Sequence, residues 1–202
     1  MRVAIIGTGN VGGALAQALE RAGHTIIFGT RTPDRTTPSQ STIAEAVAGA
    51  DATILAVPFT AVPDVVVAAG GFAGKIVIDA TNPLGMGPRG LGLTMGFTAS
   101  GAETIAALAP QAKLFKAFNQ TGFENMGDAR GYAVRPVMFV AGDDGAAKPL
   151  VLQLVTDAGF EAIDAGGLPA SRLLEAYAML WIELARKRGL GSNFAFTLRR
   201  KA

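Results

Sequence analysis

Short unbroken apolar runs alternate along this chain with longer stretches whose apolar positions recur every three or four residues. The runs at 3–6, 25–28, 52–57, 75–79, 113–118 and 137–141 read as strands buried on both faces. Residues 10–21 carry Val11, Leu15, Ala18 and Leu19 at helical spacing, and Gly23 supplies a stop. Thr42 with Glu45, Ser100 with Glu103, and Thr121 with Glu124 match the capping box, in which a hydroxyl and a carboxylate satisfy orphan backbone N–H groups. Strands and helices therefore take turns, which predicts an α/β fold built on a doubly wound, mostly parallel sheet.

The pattern changes after about residue 145. Ala147, Leu150, Val151, Leu154 and Val155 form one helical stripe with Pro149 near its start, and residues 160–163 read as a short strand. Residues 171–188 give the longest helical signal, with Leu173, Leu174, Tyr177, Leu180, Trp181 and Leu184 on one face. Met179 and Ile182 add apolar surface outside that stripe, more than a single buried face requires, so subunit contact is expected.

Composition narrows the chemistry. Among 202 residues there is no cysteine and one histidine, His24, which excludes disulfides, thiolate nucleophiles and multi-histidine metal sites. No metal site is expected, and His24, between a helix and a strand, reads as structural. The net charge of +2 and the single basic cluster at Arg199, Arg200 and Lys201 do not suit nucleic-acid binding. Pro58, Pro63, Asp64 and Gly70-Gly71 interrupt the apolar stretch 52–74, so no membrane span is expected and the protein reads as cytoplasmic.

Gly7-Thr8-Gly9-Asn10-Val11-Gly12 follows the first strand and opens the first helix. That context is what a dinucleotide-binding fingerprint requires: Gly7 for a tight turn, Gly9 for backbone approach to a pyrophosphate, Gly12 for close helix–strand packing. The helix N-terminus adds free N–H groups for the phosphates. The sheet is therefore expected to be Rossmann-type. At the end of the second strand, where an NAD site offers a carboxylate, stand Thr30, Arg31 and Arg35, with Asp34 beyond the usual acidic position. Guanidinium groups suit a 2′-phosphate, so NADP(H) is expected over NAD(H).

Ala56-Val57-Pro58 and Asn82-Pro83 close the third and fourth strands and should wall the nicotinamide end. Asn119, after the fifth strand, could orient a substrate group or simply form a turn. Ser100 and Glu103 are read as caps, and Asp143-Asp144 as a helix cap. The glycine-rich segment 84–99, carrying Met86, Leu93, Met95 and Phe97, suits a lid over a flat ring. No catalytic acid–base pair stands out, which fits hydride transfer to an acceptor that is itself a redox ring or metal complex.

Gly7–Gly12, Gly29-Thr30-Arg31, Ala56-Val57-Pro58, Gly142-Asp143-Asp144, Asp164-Ala165-Gly166 through Leu168 to Ser171-Arg172-Leu173, and Arg188-Gly189-Leu190-Gly191 together resemble the NADPH:coenzyme F420 oxidoreductase family. Segment 79–83 looks like the family's bacterial branch and like the cytosolic reductase domain of six-transmembrane metalloreductases. The resemblance implies an NADP-binding domain at 1–142 and a small C-terminal segment at 143–202 that dimerises and walls the substrate pocket. It also implies hydride exchange between NADPH and a deazaflavin. By match, Thr8–Val11 would hold pyrophosphate, Thr30, Arg31 and Arg35 the 2′-phosphate, and Ala117 the nicotinamide side, with Asn82, Asn119 and Leu168 at the substrate. Asn119 and Phe59 stand where archaeal deazaflavin enzymes typically carry histidine and an indole-type residue, so deazaflavin, flavin and ferric complex all remain open as acceptors. A non-catalytic NADP(H)-sensing module and an imine or 3-hydroxyacid reductase are the alternatives.

Overall fold

The computed structural model describes residues 1–201 apart from Arg35, Pro38 and Arg89. The chain opens with β1 (Arg2–Ile6), α1 (Asn10–Arg21), β2 (Thr25–Thr30), β3 (Gln40–Thr42) and α2 (Ile43–Ala48). It continues through β4 (Ala52–Leu55), α3 (Val62–Ala68), β5 (Ile76–Asp79), the pair β6 (Leu84–Gly87) and β7 (Gly90–Leu93), and α4 (Gly101–Leu108). Next come β8 (Lys113–Lys116), α5 (Phe123–Gly127), β9 (Val137–Gly142), α6 (Lys148–Asp157), β10 (Glu161–Asp164) and α7 (Ser171–Arg186).

Eight strands make one sheet in the order β10-β9-β8-β5-β4-β1-β2-β3. Every neighbouring pair is parallel except β8 with β9. The continuous apolar character of β1 has a direct cause, because both of its faces are covered. Val3 and Ile5 pack with Leu15 and Leu19 of α1 and Val151 and Leu154 of α6. Ala4 and Ile6 pack with Ile43 and Val47 of α2, Val65 of α3 and Ile105 of α4 on the other side. The doubly wound, mostly parallel α/β expectation is met. No helix among the described residues is long and apolar enough to cross a membrane.

One capping expectation held in full, one in part, and one failed. Thr42 and Glu45 form the full reciprocal box of α2, the Thr42 hydroxyl accepting from Glu45 N and the Glu45 carboxylate from Thr42 N. Ser100 caps α4, but the Glu103 carboxylate turns to Arg172 on α7 at 2.6 and 2.8 Å. Thr121 caps nothing: α5 starts at Phe123 behind Gly122, and the Thr121 hydroxyl accepts from Asn125 Nδ2. The ring of Trp181 lies over Gly122, leaving no room for a side chain at the cap. Asp144 accepts from Ala147 N ahead of α6, as a cap should. His24 pairs with Asp157 at 2.9 Å, beside the start of β2 and away from the strand C-termini.

The apolar pattern missed β3, β6 and β7, since none has a sustained hydrophobic run. Segment 84–99 is half hairpin: β6 and β7 pair antiparallel, with Gly85 opposite Gly92 and Gly87 opposite Gly90. The last stretch, 189–201, has no regular secondary structure yet is tied down. The Phe194 carbonyl accepts from Trp181 Nε1 and Asn125 Nδ2, its ring stacks on Trp181, and Phe196 O accepts from Val137 N.

Replacing Thr42 with Ala should cost about 1 kcal/mol in urea unfolding, the usual worth of a lost cap. The Arg172 guanidinium holds the Glu103 carboxyl below its ordinary 4.5, so the pair stabilises the fold above about that pH and ceases to as pH falls through the lowered value. Glu103→Gln should therefore be less stable than the parent near neutrality, with the two unfolding free energies converging in acid.

Candidate functional site

The order of strands reverses between β1 and β4, so the loops that leave their C-terminal ends diverge and open a crevice. Ala56 N donates to Ile6 O, which brings the two loops together. Gly7 adopts φ +115°, and a side chain there would collide with the Ala56 carbonyl. A side chain on Gly12 would collide with the Gly7 carbonyl, so this glycine lets α1 seat against the turn. Gly9 differs. A Cβ on it would meet nothing within 4 Å, and as the residue preceding α1 it leaves that helix start without a side-chain cap. Two glycines are thus needed for packing, and the third leaves the backbone bare at the helix start.

A cavity of about 430 Å³ occupies the crevice, walled by Gly7–Gly9, Thr30–Thr32 and Ala56–Pro58, with Asp64 of α3 at its side. Of the expected cofactor residues, Gly7, Thr8, Gly9, Thr30, Arg31, Ala56, Val57 and Pro58 share this wall. Asn10, Val11 and Gly12 form the start of α1 behind it. Thr30 lines the cavity, and its Oγ1 is buried without a partner, an orphan hydroxyl. Arg31 is exposed at the mouth, and Arg35 lies outside the described residues. Asp34 is turned away. Its carboxylate accepts from the Thr36 hydroxyl and amide and the Thr37 hydroxyl, which hold its pKa below the ordinary carboxylate value.

Asn82, Pro83, Ala117 and Asn119 lie along the rim beyond that cavity, at the ends of β5 and β8. Asn119 is buried and its amide is spent: Nδ2 donates to Asn82 Oδ1 and Leu174 O, and Oδ1 accepts from Gln120 Nε2. Asn82 Nδ2 donates to Asn119 O. Gln120 extends this brace to β9, donating to Phe139 O and accepting from Phe139 N as a strand would. The two asparagines therefore brace the rim, with Asn119 tying it to α7. Phe118, between Ala117 and Asn119, is fully buried with φ +61°, a left-handed turn that ends the strand and packs its ring on Phe160. Leu168 is buried, its amide donating to Asp143 Oδ1.

Behind the rim lies a cluster that sequence reading missed. Lys116 is wholly buried and donates to Asp79 Oδ2 at 2.8 Å, Thr81 O at 2.7 Å and Glu175 Oε1 at 2.9 Å. Glu175 also accepts from the first amides of α4, Gly101 N and Ala102 N. Asp79 and Lys116 face each other across β5 and β8, which the two strands' ends could have hinted at; Glu175 comes from α7, 59 residues after Lys116 in the numbering, and no local pattern announces it.

The donor set suits a dinucleotide: bare backbone at Gly9, an uncapped helix start, an orphan Thr30 hydroxyl and a cationic Arg31. Among the described residues no three His, Asp or Glu side chains gather as a metal site would need. The glycine face of the β6–β7 hairpin and Met179 of α7 border a second cavity of about 560 Å³.

Residues 2–83 match the family described as NADP oxidoreductase, coenzyme F420-dependent. A crystal structure from Arthrobacter sp. FB24, assigned as an F420-dependent NADP reductase, is 31% identical, with 99% of this chain and 100% of that one covered and a TM-score of 0.89. Metalloreductase STEAP3 of Rattus norvegicus is 29% identical over 181 residues, which span 87% of this chain but only 36% of that protein. A reductive aminase from Aspergillus terreus, solved with NADPH4, cyclohexanone and allyl amine, shares the fold at 21% identity and a TM-score of 0.65, covering 90% of this chain and 59% of that one. With its glycine turn, its arginine at the second strand and a family relative matched end to end, the chain belongs to the coenzyme F420-dependent NADP oxidoreductase family.

Proposed function

We propose that this protein binds NADPH across the β1–β4 crevice and passes a hydride to a ring-type or metal-complex acceptor held above the nicotinamide. The observation that carries the reading is the wall around Gly9: open backbone and an uncapped helix for pyrophosphate, with Thr30 and Arg31 within the same cavity for the 2′-phosphate. Bound NADPH supplies the hydride, and the chain's own residues bind, align and exclude water. Thr8–Val11 hold the pyrophosphate. Ala56–Pro58 and Asn82–Pro83 wall the nicotinamide, Ala117 being wholly buried in the core rather than open to it, and Leu168 and the β6–β7 hairpin border the acceptor.

The rim favours an acceptor that needs no protein acid. Asn119 has its amide committed, and Lys116 is held by three oxygens. That is a poor setting for protonating a carbonyl or imine, and a good one for a deazaflavin, flavin or ferric complex. The exposed apolar side chains Leu173 and Leu180 on α7 support a homodimer through that helix, with segment 143–202 forming its interface.

Arg31→Gln should weaken NADPH by roughly 10- to 100-fold while leaving NADH nearly unchanged, the loss expected of a charge-assisted bond. Titration by fluorescence measures both, and equal affinities in the unmodified protein would defeat the assignment. Gly9→Val should abolish NADPH binding with little change in melting temperature, whereas Gly12→Val should lower the melting temperature itself, because only the second collides with the fold. NADPH oxidation should appear with deazaflavin, flavin or ferric chelate; binding without turnover of any of them would make the protein a sensor. Sedimentation should show a dimer at micromolar concentration, and Leu173→Glu with Leu180→Glu should shift it to monomer.

A further inference from the structure

We propose that Asp79, Lys116 and Glu175 form a positioning cluster whose surplus negative charge favours the oxidised, cationic nicotinamide and so biases the site toward giving up a hydride. The inference rests on the reading above that nicotinamide lies at the ends of β4, β5 and β8, and it adds what those strand ends do electrostatically.

Two carboxylates face one ammonium, which leaves one net negative charge in a cluster whose members are 0, 0 and 1% exposed. Taking ions out of water is costly, and well-packed apolar residues can replace a buried ion pair at no loss of stability. Lys116 with Asp79 would already make a neutral pair joining β5 and β8. Glu175 is the extra carboxylate, brought in by a different element, and it accepts from the Gly101 and Ala102 amides. Those amides offer the partial positive charge of a helix start, about half a unit, so they soften the surplus without cancelling it.

The cluster stands directly behind the rim. Lys116 immediately precedes Ala117, and Asp79 is three residues before Asn82. A Cβ built on Gly101 would lie 2.9 Å from the Phe59 ring, 3.1 Å from Glu175 Oε1 and 3.3 Å from Pro83 Cδ, so glycine is what lets carboxylate, aromatic ring and rim proline converge. When a hydride leaves NADPH with its electron pair, the acceptor gains two electrons and the neutral dihydropyridine ring becomes a pyridinium cation. Fixed negative charge in a poorly solvated interior stabilises that cation and needs no reorganisation as it forms.

Dissociation constants for NADP+ and NADPH, measured by calorimetry on the intact protein and on Glu175→Gln and Asp79→Asn, test this. Each variant should raise the ratio of the NADP+ constant to the NADPH constant about tenfold, the effect a unit charge has across about a nanometre of protein interior. A cluster that merely holds α7 in place would weaken both nucleotides together; an unchanged ratio in a folded variant overturns the proposal. Circular dichroism identifies a variant that fails to fold, and the other then decides. The unmodified protein provides its own check, since NADP+ should bind at least as tightly as NADPH, and a strong preference for NADPH overturns the proposal whether or not the variants fold. Failure of either nucleotide to bind the unmodified protein would instead defeat the cofactor reading on which the proposal stands.

Discussion

The close approach of backbone to backbone at the end of β1 is the constraint on which the rest depends. The carbonyl of Ala56 lies where a side chain of residue 7 would be, and the carbonyl of Gly7 lies where a side chain of residue 12 would be. Only glycines let the β1 turn, the β4 loop and the first turn of α1 occupy one small volume. Once they do, the amides at the start of α1 face the crevice, and Gly9 leaves it open. The glycines thus divide the work: Gly7 and Gly12 must be small for the fold to close, and Gly9 keeps the helix start free of a side chain.

A second constraint acts at the other end of the crevice, and it is ionic. Three charged groups are sealed under the rim, joining β5, β8, α4 and α7 at a single ammonium. Around them the Asn82–Asn119–Gln120 amides form a neutral brace that reaches α7 through Leu174 O and β9 through Phe139. The rim therefore has its polar groups turned inward, toward one another. The same inward turn distinguishes the two ends of the crevice, because at the end of β2 Thr30 Oγ1 has no partner and Arg31 is exposed.

Reading by pattern succeeded where the cause is local. β1, β2, β4, β5, β8 and β9 are visible as apolar runs because the sheet is covered on both faces, and α1 and α6 because one stripe of each is buried; in α7 the buried face is Leu174, Ala178, Trp181 and Ala185, and Leu173 and Leu180 of the expected stripe are exposed. Thr42 capped α2 since the hydroxyl, the amide and the carboxylate of a capping box are three residues apart. Thr121 failed at the same spacing because α5 starts one residue later, with Gly122 at the cap, where Trp181 from α7 and Glu124 leave no room for a side chain. The β6–β7 hairpin escaped notice for a related reason: alternate positions are glycine, so the pairing leaves no hydrophobic alternation to detect. The strap at 189–201 has no periodicity at all and is held by hydrogen bonds to Trp181, Asn125 and Val137.

From the amino-acid order alone came the class of fold, the glycine turn, the cation at the end of β2 and hence the kind of nucleotide, since each is written in residues near one another along the chain. Tertiary structure decided which polar groups remain available. Asn119 reads from its position as a possible substrate contact, and folding spends its amide on Asn82, Leu174 and Gln120. Asp34 could have opposed a phosphate, and its loop turns it onto Thr36 and Thr37. Lys116 looks like one more strand lysine until Glu175 arrives from α7. Whether a donor or a charge is free depends on its neighbours in space, and hydrogen bonds between distant segments are made only when the sheet and α7 come together.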